Sequence, residues 1–276
     1  MQFWGDLFLI LKTSTPIPKP YGLFHLFFWV ATIVIGVILA TKLRTPDEKT
    51  VRRILLAMGI VCVVLEIYKQ IVMNFSYEYG VFTFDYQWYI FPYQFCSTPM
   101  YVQLLAGLIK KERAHRSLIS YLATYSIFAG LCVMFYPNIV FTSTVGINIQ
   151  TMVCHASMLT IGIFLYGSGY VKAEIKTLLR AIPVFVIALA LAIAMNEFVV
   201  LGGIIGEGDV FNMFYFSRYF PSDLPIYSII HQSLPYALSL IIYIIGFTAA
   251  ALIVLLLAMG ITKLVISIKR RANKTV

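Results

Sequence analysis

The sequence predicts an all-α membrane protein, a bundle of about seven transmembrane helices. Three observations lead to this fold class: 60% of the 276 residues are hydrophobic, only 12% are charged, and the mean hydropathy is +0.86. These proportions exclude an ordinary soluble globular domain. Apolar runs of roughly 20 residues, the length that crosses the hydrocarbon, recur along the chain. The predicted spans lie near residues 22–41, 51–73, 88–109, 117–136, 149–171, 177–200 and 234–262.

The positions of the positive charges predict the orientation of these helices. Lys and Arg accumulate in the short loops that stay on the cytoplasmic side. Four clusters, which follow the first, third, fifth and last predicted spans, hold 17 of the 21 Lys and Arg residues. The N-terminus is therefore expected outside and the C-terminus in the cytoplasm. The net charge of +9 is a topology signal and an attraction to anionic lipid, and it does not indicate a nucleic-acid partner.

Outside the spans, the chain has an N-terminal segment and two long loops on the predicted outer side. Residues 1–15 contain aromatic and apolar side chains and are followed by prolines at positions 16, 18 and 20, so we expect a short segment that lies in the membrane interface. Residues 74–90 are acidic and rich in Tyr, and residues 201–233 are too long to be a simple connection. The whole chain, residues 1–276, is expected to form a single transmembrane domain.

The third predicted span contains the motif on which the functional prediction depends. Residues 91–101 place Gln94, Cys96 and Thr98 between two prolines. Because Pro99 lacks a backbone donor and clashes with the preceding turn, the helix is expected to bend or unwind beside Cys96. Irregular backbone at membrane depth faces protein or a cavity. The motif therefore predicts that Cys96 lies on the wall of an intramembrane pocket.

Polar side chains in other helices fall at the same predicted depth. Glu66 and Lys69 lie three residues apart on one helix face and are expected to form an ion pair, either as packing or as a pocket wall. Thr151 and His155 share a face of the fifth span. Since all these groups fall toward the outer ends of their helices, we predict one outer-side cavity, capped by the two long loops. The residues at this depth are His25, Glu66, Lys69, Gln94, Cys96, Thr151, His155, Asn196, Glu197 and His231.

Cys96 and His155 together predict nucleophilic chemistry. A thiol beside a histidine, or at the N-terminal end of a half-helix, is activated as a nucleophile. Asn196 or Glu197 is the expected partner that orients the imidazole. In the outer half of a bilayer the natural substrate of such a site is a lipid ester. The four cysteines have neither the spacing of a metal site nor that of a disulfide framework, and we expect no metal and no cofactor.

A family resemblance rests on Gln94-Phe-Cys96-Ser, on His155 and on Met195-Asn196-Glu197. With these residues the chain resembles the YwaF-type bacterial integral membrane proteins. Those proteins are similar to the eukaryotic transmembrane-protein-164 family and, more distantly, to the androgen-induced-gene lipid hydrolases. The resemblance implies a multi-pass protein of the bacterial plasma membrane. It also implies that Cys96 and His155 match the residues with which the eukaryotic relative moves a fatty acyl chain between phospholipids.

Several functions stay open at this point. The first is an intramembrane acyltransferase or lipid-ester hydrolase that uses Cys96 and His155, with membrane phospholipids as acyl donor and acceptor. In the hydrolase relatives a threonine replaces the nucleophile, which makes Thr98 the alternative. The second is an ion- or proton-coupled transporter of a small solute or lipid, because Glu66, Lys69 and a further carboxylate are what such a site requires. The third is a non-enzymatic lipid-binding protein.

Overall fold

The computed structural model describes residues 2–272 and is mainly helical, which confirms the all-α fold class. A short antiparallel hairpin joins β1 (Phe75–Glu78) to β2 (Val81–Phe84), and single 3-10 turns cover Trp88–Ile90, Pro137–Ile139 and Met213–Tyr215. The helices are α1 (Gln2–Leu11), α2 (Leu23–Lys42), α3 (Glu48–Asn74), α4 (Thr98–Leu108), α5 (Glu112–Leu122), α6 (Tyr125–Phe135), α7 (Val145–Gly167), α8 (Ile175–Leu201), α9 (Tyr227–Ser233) and α10 (Tyr236–Ala272).

Six helical segments within residues 2–272 are long and apolar enough to cross a membrane. One of them, Glu112–Phe135, is made of α5 and α6 with a break between them. The others correspond to α2, α3, α7, α8 and the greater part of α10. The segments are Leu23–Lys42, Glu48–Asn74, Glu112–Phe135, Val145–Gly167, Ile175–Leu201 and Tyr236–Val265.

The third predicted span, residues 88–109, is not a continuous helix, so this part of the prediction is wrong. Only α4 is helical there, and its 11 residues extend about 16 Å, roughly half of the hydrocarbon thickness. Pro99 occupies the first turn of α4, where the missing N–H costs no helical bond. The proline thus begins a half-helix, and of the two predicted outcomes, a bend or unwinding, the backbone before it is unwound. The break predicted beside Cys96 is confirmed.

Hydrogen bonds gather the basic loops at one end of the bundle, which we call the basic end. The backbone N–H of Thr45, after α2, donates to the carbonyl of Ser168, after α7, at 2.8 Å. The guanidinium of Arg52 donates to the carbonyl of Leu108 at 2.7 Å and so joins the start of α3 to the end of α4. The loops that the charge pattern assigned to one side therefore lie together.

The N-terminal helix and the hairpin lie at the other end, which we call the hairpin end. The Tyr68 hydroxyl donates to the carbonyl of Leu11 at 2.6 Å, and Thr15 N–H donates to the carbonyl of Ser143 at 2.7 Å. Helix α1 buries Phe8 against the hairpin and leaves most of its other apolar side chains exposed. Which side of the membrane each end faces, and whether residues 1–15 lie in the interface, stay predictions.

The long loop after α8 folds into the core of the protein. Phe214 and Phe216 are fully buried, and the Tyr243 hydroxyl on α10 donates to the Phe214 carbonyl at 2.8 Å. Tyr243 belongs to a stack of aromatic rings in which Tyr125 and Phe185 lie 4.6 Å apart. Phe216 packs edge-on against Tyr243 with ring centroids 5.2 Å apart, so the loop is anchored to α10 through this stack.

Candidate active site

A cavity of about 300 Å³ lies near the hairpin end. Its walls come from the second half of α3, the segment before α4, the first half of α7 and the loop between α6 and α7. Residues of both long loops, Tyr89 and Tyr215, also contact it. The sequence placed a set of polar groups at one depth, and the structure brings six of the nine predicted site residues to this cavity. They are Glu66, Lys69, Gln94, Cys96, Thr151 and His155.

His155 presents one ring nitrogen that is bonded and one that is not. Nδ1 lies 2.7 Å from the backbone carbonyl of Thr151, one turn earlier in α7. Because a carbonyl can only accept, Nδ1 must carry the hydrogen, and in the neutral ring Nε2 then holds a lone pair. Nε2 is buried and has no hydrogen-bond partner among the described residues. This is the tautomer that a general base requires.

Cys96 lies two residues before α4, at the N-terminal end of that helix. Its thiol is free and half-buried, and it contributes to the same cavity as His155. The first N–H groups of α4 already donate to the carbonyls of Gln94 and Ser97, so the dipole of the half-helix is what favours negative charge at this position. Burial raises the pKa of the Cys96 thiol, so forming the thiolate requires a base.

The predicted ion pair in α3 is present and forms part of the cavity wall. Lys69 Nζ lies 2.7 Å from Glu66 Oε1. The same carboxylate accepts from Gln70 Nε2 at 2.8 Å and, through its other oxygen, from Gln150 Nε2 at 3.3 Å. Gln150 belongs to α7, so the network also joins the two helices across the cavity. The pair is therefore both packing and pocket wall, the two possibilities that the sequence left open.

Asn196 does not orient His155, contrary to the prediction, and it does not line the cavity. Its side chain donates to the carbonyls of Met213 and Phe216, and its oxygen accepts from Met213 N–H at 2.8 Å. The role expected of Asn196 falls to the Thr151 carbonyl, one turn from His155 on its own helix. Asn196 instead clamps the loop after α8.

Glu197 was also expected near the imidazole and without a partner, and both expectations are wrong. Its carboxylate lies 2.8 Å from Arg218 Nε and accepts from the Tyr219 hydroxyl at 2.6 Å. Half of the Arg218 side chain is exposed, so this is a surface pair at the hairpin end. The hydrogen bond to Glu197 raises the pKa of Tyr219, which keeps the phenol protonated as a donor.

Thr98, the alternative nucleophile, is tied into the core. Its hydroxyl lies 2.8 Å from the Phe95 carbonyl and 2.7 Å from the Tyr121 hydroxyl, and only 2% of the residue is exposed. Because its single hydrogen is already donated to a carbonyl, the hydroxyl has no proton to give to a base. Thr98 does not line the cavity.

Tyr215 is a cavity residue that the sequence analysis missed. It and Phe214 have positive φ angles of 53° and 60°, a conformation that costs about 1–2 kcal/mol for each non-glycine residue. The Gln94 amide holds this turn by donating to the Asn212 carbonyl and accepting from Phe214 N–H, both at 2.9 Å. Burial raises the pKa of Tyr215, so it enters the cavity as a neutral phenol. The sequence does mark this turn, because Asn212 interrupts an otherwise aromatic stretch. The stretch does not show, however, which of its side chains points into the cavity.

Two further thiols line the cavity, which the spacing of the cysteines did not predict. Cys62 Sγ lies 3.6 Å from Ser157 Oγ, and Gln150 Nε2 lies 3.7 Å from Cys154 Sγ. Adjacent helical residues point about 100° apart, yet the cavity is wide enough to contact both Cys154 and His155. All of these thiols are free. Among the described residues, no group of three His, Cys, Asp or Glu side chains is placed to hold a metal ion.

A second cavity of about 380 Å³ adjoins the first and is almost entirely apolar. The two cavities share Glu66 and Met100, and the second extends along α3 past Ile67 and Ile71. These isoleucines are about half exposed, which in a membrane-spanning helix means contact with lipid. The apolar cavity therefore lies between the polar cavity and the lipid-facing surface of α3.

The basic end has its own cavity, about 530 Å³ in volume and lined by charged side chains of both signs. His115 of α5 contributes to it, and both ring nitrogens are bonded: Nδ1 lies 2.9 Å from the Ala106 carbonyl and Nε2 3.1 Å from the Tyr170 hydroxyl. Arg116 pairs with Glu112 one turn away. These polar groups already satisfy one another.

A comparison with known proteins identifies one match. A family model described as the TMEM164 family matches residues 20–262, a range that includes every residue lining the polar cavity. No curated protein and no solved structure matches the chain. The resemblance proposed from residues 94–96, 155 and 195–197 is thereby confirmed for this family, and the likeness to the YwaF-type proteins and the lipid hydrolases stays a prediction.

Proposed function

The chain belongs to the TMEM164 family and is a multi-pass membrane protein, and from this premise we propose that it is an intramembrane lipid acyltransferase or lipid-ester hydrolase. One observation carries the proposal: His155 Nε2 is an unpaired nitrogen on a ring that lines the same cavity as Cys96. A buried base and a thiol at a helix N-terminus are the two groups that thiol acyl transfer needs. A bacterial plasma membrane is the location that we propose.

The proposed reaction has two steps. In the first, Nε2 of His155 takes the proton of the Cys96 thiol, and the sulfur attacks the ester carbonyl of a phospholipid. The C–O bond breaks, the leaving alkoxide receives the proton from Nε2, and the acyl group stays on Cys96 as a thioester. In the second, a lysolipid hydroxyl or water gives its proton to Nε2 and attacks the thioester. The C–S bond breaks and the thiolate takes the proton back.

The two adjoining cavities support a lipid substrate over a small solute. The apolar cavity is bounded by lipid-facing side chains of α3 and is suited to an acyl chain, while the polar cavity holds the thiol and the imidazole. A phospholipid ester has the same division, with a polar ester next to a long hydrocarbon chain. Membrane phospholipids are therefore the proposed acyl donor and acceptor.

The test is turnover by the purified protein in liposomes of bacterial polar lipid, followed by mass spectrometry of acyl exchange and fatty-acid release. We expect Cys96→Ala to abolish both, because in the proposed reaction the acyl group is carried by the Cys96 sulfur. Cys132→Ala is the matched control, since Cys132 is an exposed thiol on α6 away from the cavity. Unchanged turnover in Cys96→Ala would refute the proposal, and loss in Cys154→Ala alone would assign the nucleophile to Cys154.

The Glu66–Lys69 pair favours one other function, an ion- or proton-coupled transporter, because buried charges in a spanning helix are typical of such sites. Transport would require Glu66 and not Cys96, whereas acyl transfer or hydrolysis requires Cys96. Uptake into proteoliposomes that depends on Glu66 and survives Cys96→Ser would establish transport. Covalent labelling of Cys96 by a lipid-like electrophile, lost in His155→Ala, would instead exclude a purely lipid-binding role.

A further inference from the structure

Gln103 on α4 is a buried amide without a hydrogen-bond partner in the part of the chain that the structure describes. Only 1% of the residue is exposed, and both its Nε2 and its Oε1 lack a hydrogen-bond partner among the described residues. A buried amide without partners is costly, and such groups in native structures call for an explanation. Gln103 lines the cavity that contains Cys96 and His155, so a bound ligand can supply the missing partners.

The other glutamines around the cavity show that Gln103 differs from its surroundings. Gln94 uses both ends of its amide to hold the loop after α8. Gln70 donates to Glu66 and to the Ile90 carbonyl, and Gln150 donates to Glu66 and accepts from the Thr151 hydroxyl. These amides are structural because their partners belong to the protein. Gln103 lines the same cavity, but neither end of its amide has a hydrogen-bond partner among the described residues.

The position of Gln103 on α4 brings its amide toward the thiol. Ser97, Met100 and Gln103 recur every three residues and all line the cavity, so they mark the face of α4 that points into it. Gln103 lies about 9 Å along the helix axis from Ser97. Side chains of a helix lean toward its N-terminus, which directs the long Gln103 side chain back toward Cys96.

We propose that Gln103 is a catalytic residue that binds the carbonyl oxygen of the lipid ester through Nε2–H. When the Cys96 sulfur adds to the carbonyl carbon, the oxygen becomes an oxyanion, and the amide donor stabilises this charge inside the cavity. When water attacks in the second step, one of its hydrogens goes to His155 Nε2 and Oε1 accepts from the other. The proposal rests on the proposed function, since it assumes that an ester is attacked at Cys96.

The deciding variant is Gln103→Met, which keeps the length of the side chain and removes both polar atoms. In the liposome assay with bacterial polar lipid we expect kcat to fall about 100-fold or more, as for other oxyanion donors, with little change in KM. Because the deleted groups have no protein partner, the thermal midpoint should not fall. Gln70→Met is the contrast for stability, since its amide is fully paired and its loss should lower the midpoint.

A second measurement separates binding of an oxyanion from a general effect on the thiol. Iodoacetamide alkylates a thiolate by displacement at carbon and creates no oxyanion, so its rate of reaction with Cys96 should be the same in the wild type and in Gln103→Met. An equal loss of alkylation and turnover would overturn the inference, because Gln103 would then be shaping the thiol.

The outcomes also separate this inference from the proposed function. Turnover within about threefold of the wild type in Gln103→Met, with Cys96→Ala inactive, would overturn the role of Gln103 and leave the proposed function intact. Turnover that survives Cys96→Ala, or no turnover by the wild type across the lipid mixture, would contradict the proposed function and this inference with it.

Discussion

Two buried histidines, His155 near the hairpin end and His115 near the basic end, show how the two cavities differ. Both side chains are more than nine-tenths buried, both contact a cavity, and both use Nδ1 to bond a backbone carbonyl. At His115 the other nitrogen is bonded to the Tyr170 hydroxyl, whereas at His155 it has no partner among the described residues. The two histidines are buried to a similar extent, and the difference between them is whether Nε2 has a hydrogen-bond partner.

The same contrast extends to the groups around each histidine. At the basic end, Arg116 pairs with Glu112, and Arg52 pairs with Glu48 and bonds the end of α4. Near the hairpin end, the Gln103 amide also lacks a partner among the described residues. Each unsatisfied buried group costs about 1–3 kcal/mol, so a cavity that keeps them sacrifices stability. The paired His115 therefore contributes to the stability of the bundle, whereas His155 and Gln103 keep polar atoms that a ligand can bind.

The largest expected effect separates these two histidines directly. We expect His155→Ala to lower lipid turnover by about 10²–10⁴-fold, the usual contribution of a general base, while its thermal midpoint changes little. His115→Ala removes two satisfied bonds and should lower the midpoint by several degrees. The folded fraction of His115→Ala should keep turnover within about threefold of the wild type. A loss of turnover in His115→Ala as large as in His155→Ala would break the comparison.

A smaller effect is expected from Gly130, which positions His155 without touching a substrate. An added Cβ at Gly130 would lie 2.9 Å from the His155 carbonyl oxygen and 3.0 Å from Met158 Cβ. Such contacts force the α7 backbone to move at the base, so Gly130→Ala should lower turnover by about 10- to 100-fold. Gly246→Ala is the matched control, because nothing lies within 4 Å of its added Cβ. Equal turnover in the two variants would show that the position of His155 is not critical.

The fold class could be predicted from composition and hydropathy, and part of the cavity lining from loop charges and helical spacing. These two signals grouped Glu66, Cys96 and His155, which all line the polar cavity, because both signals are local and periodic. The half-helix at α4 was only partly predicted, since a proline bends a helix when it lies inside and begins one when it lies in the first turn. The partners of Asn196 could not be predicted, because they are backbone groups of a loop that has no periodic pattern.

The smallest expected effect concerns Thr98, a hydroxyl that is close to Cys96 in the chain but fully paired. Its oxygen donates to the Phe95 carbonyl and so must accept from the Tyr121 hydroxyl, at 2.8 and 2.7 Å. If incomplete pairing marks the reactive groups, Thr98→Val should keep turnover within about threefold of the wild type. It should still destabilise the protein by about 1–3 kcal/mol, because the buried Tyr121 hydroxyl loses its acceptor.

The double variant Thr98→Val/Tyr121→Phe tests the physical reason for this loss of stability. Removing both hydroxyls leaves no unsatisfied group at position 121, while the Phe95 carbonyl loses its donor in both variants, so the double variant should recover the part of the stability that Thr98→Val loses at Tyr121. Thermal unfolding of the two variants measures the recovery, and the liposome assay measures turnover on the same samples. If Thr98→Val lost turnover while Cys96→Ala kept it, Thr98 would be the nucleophile, and a paired hydroxyl would have to leave its partners in order to react.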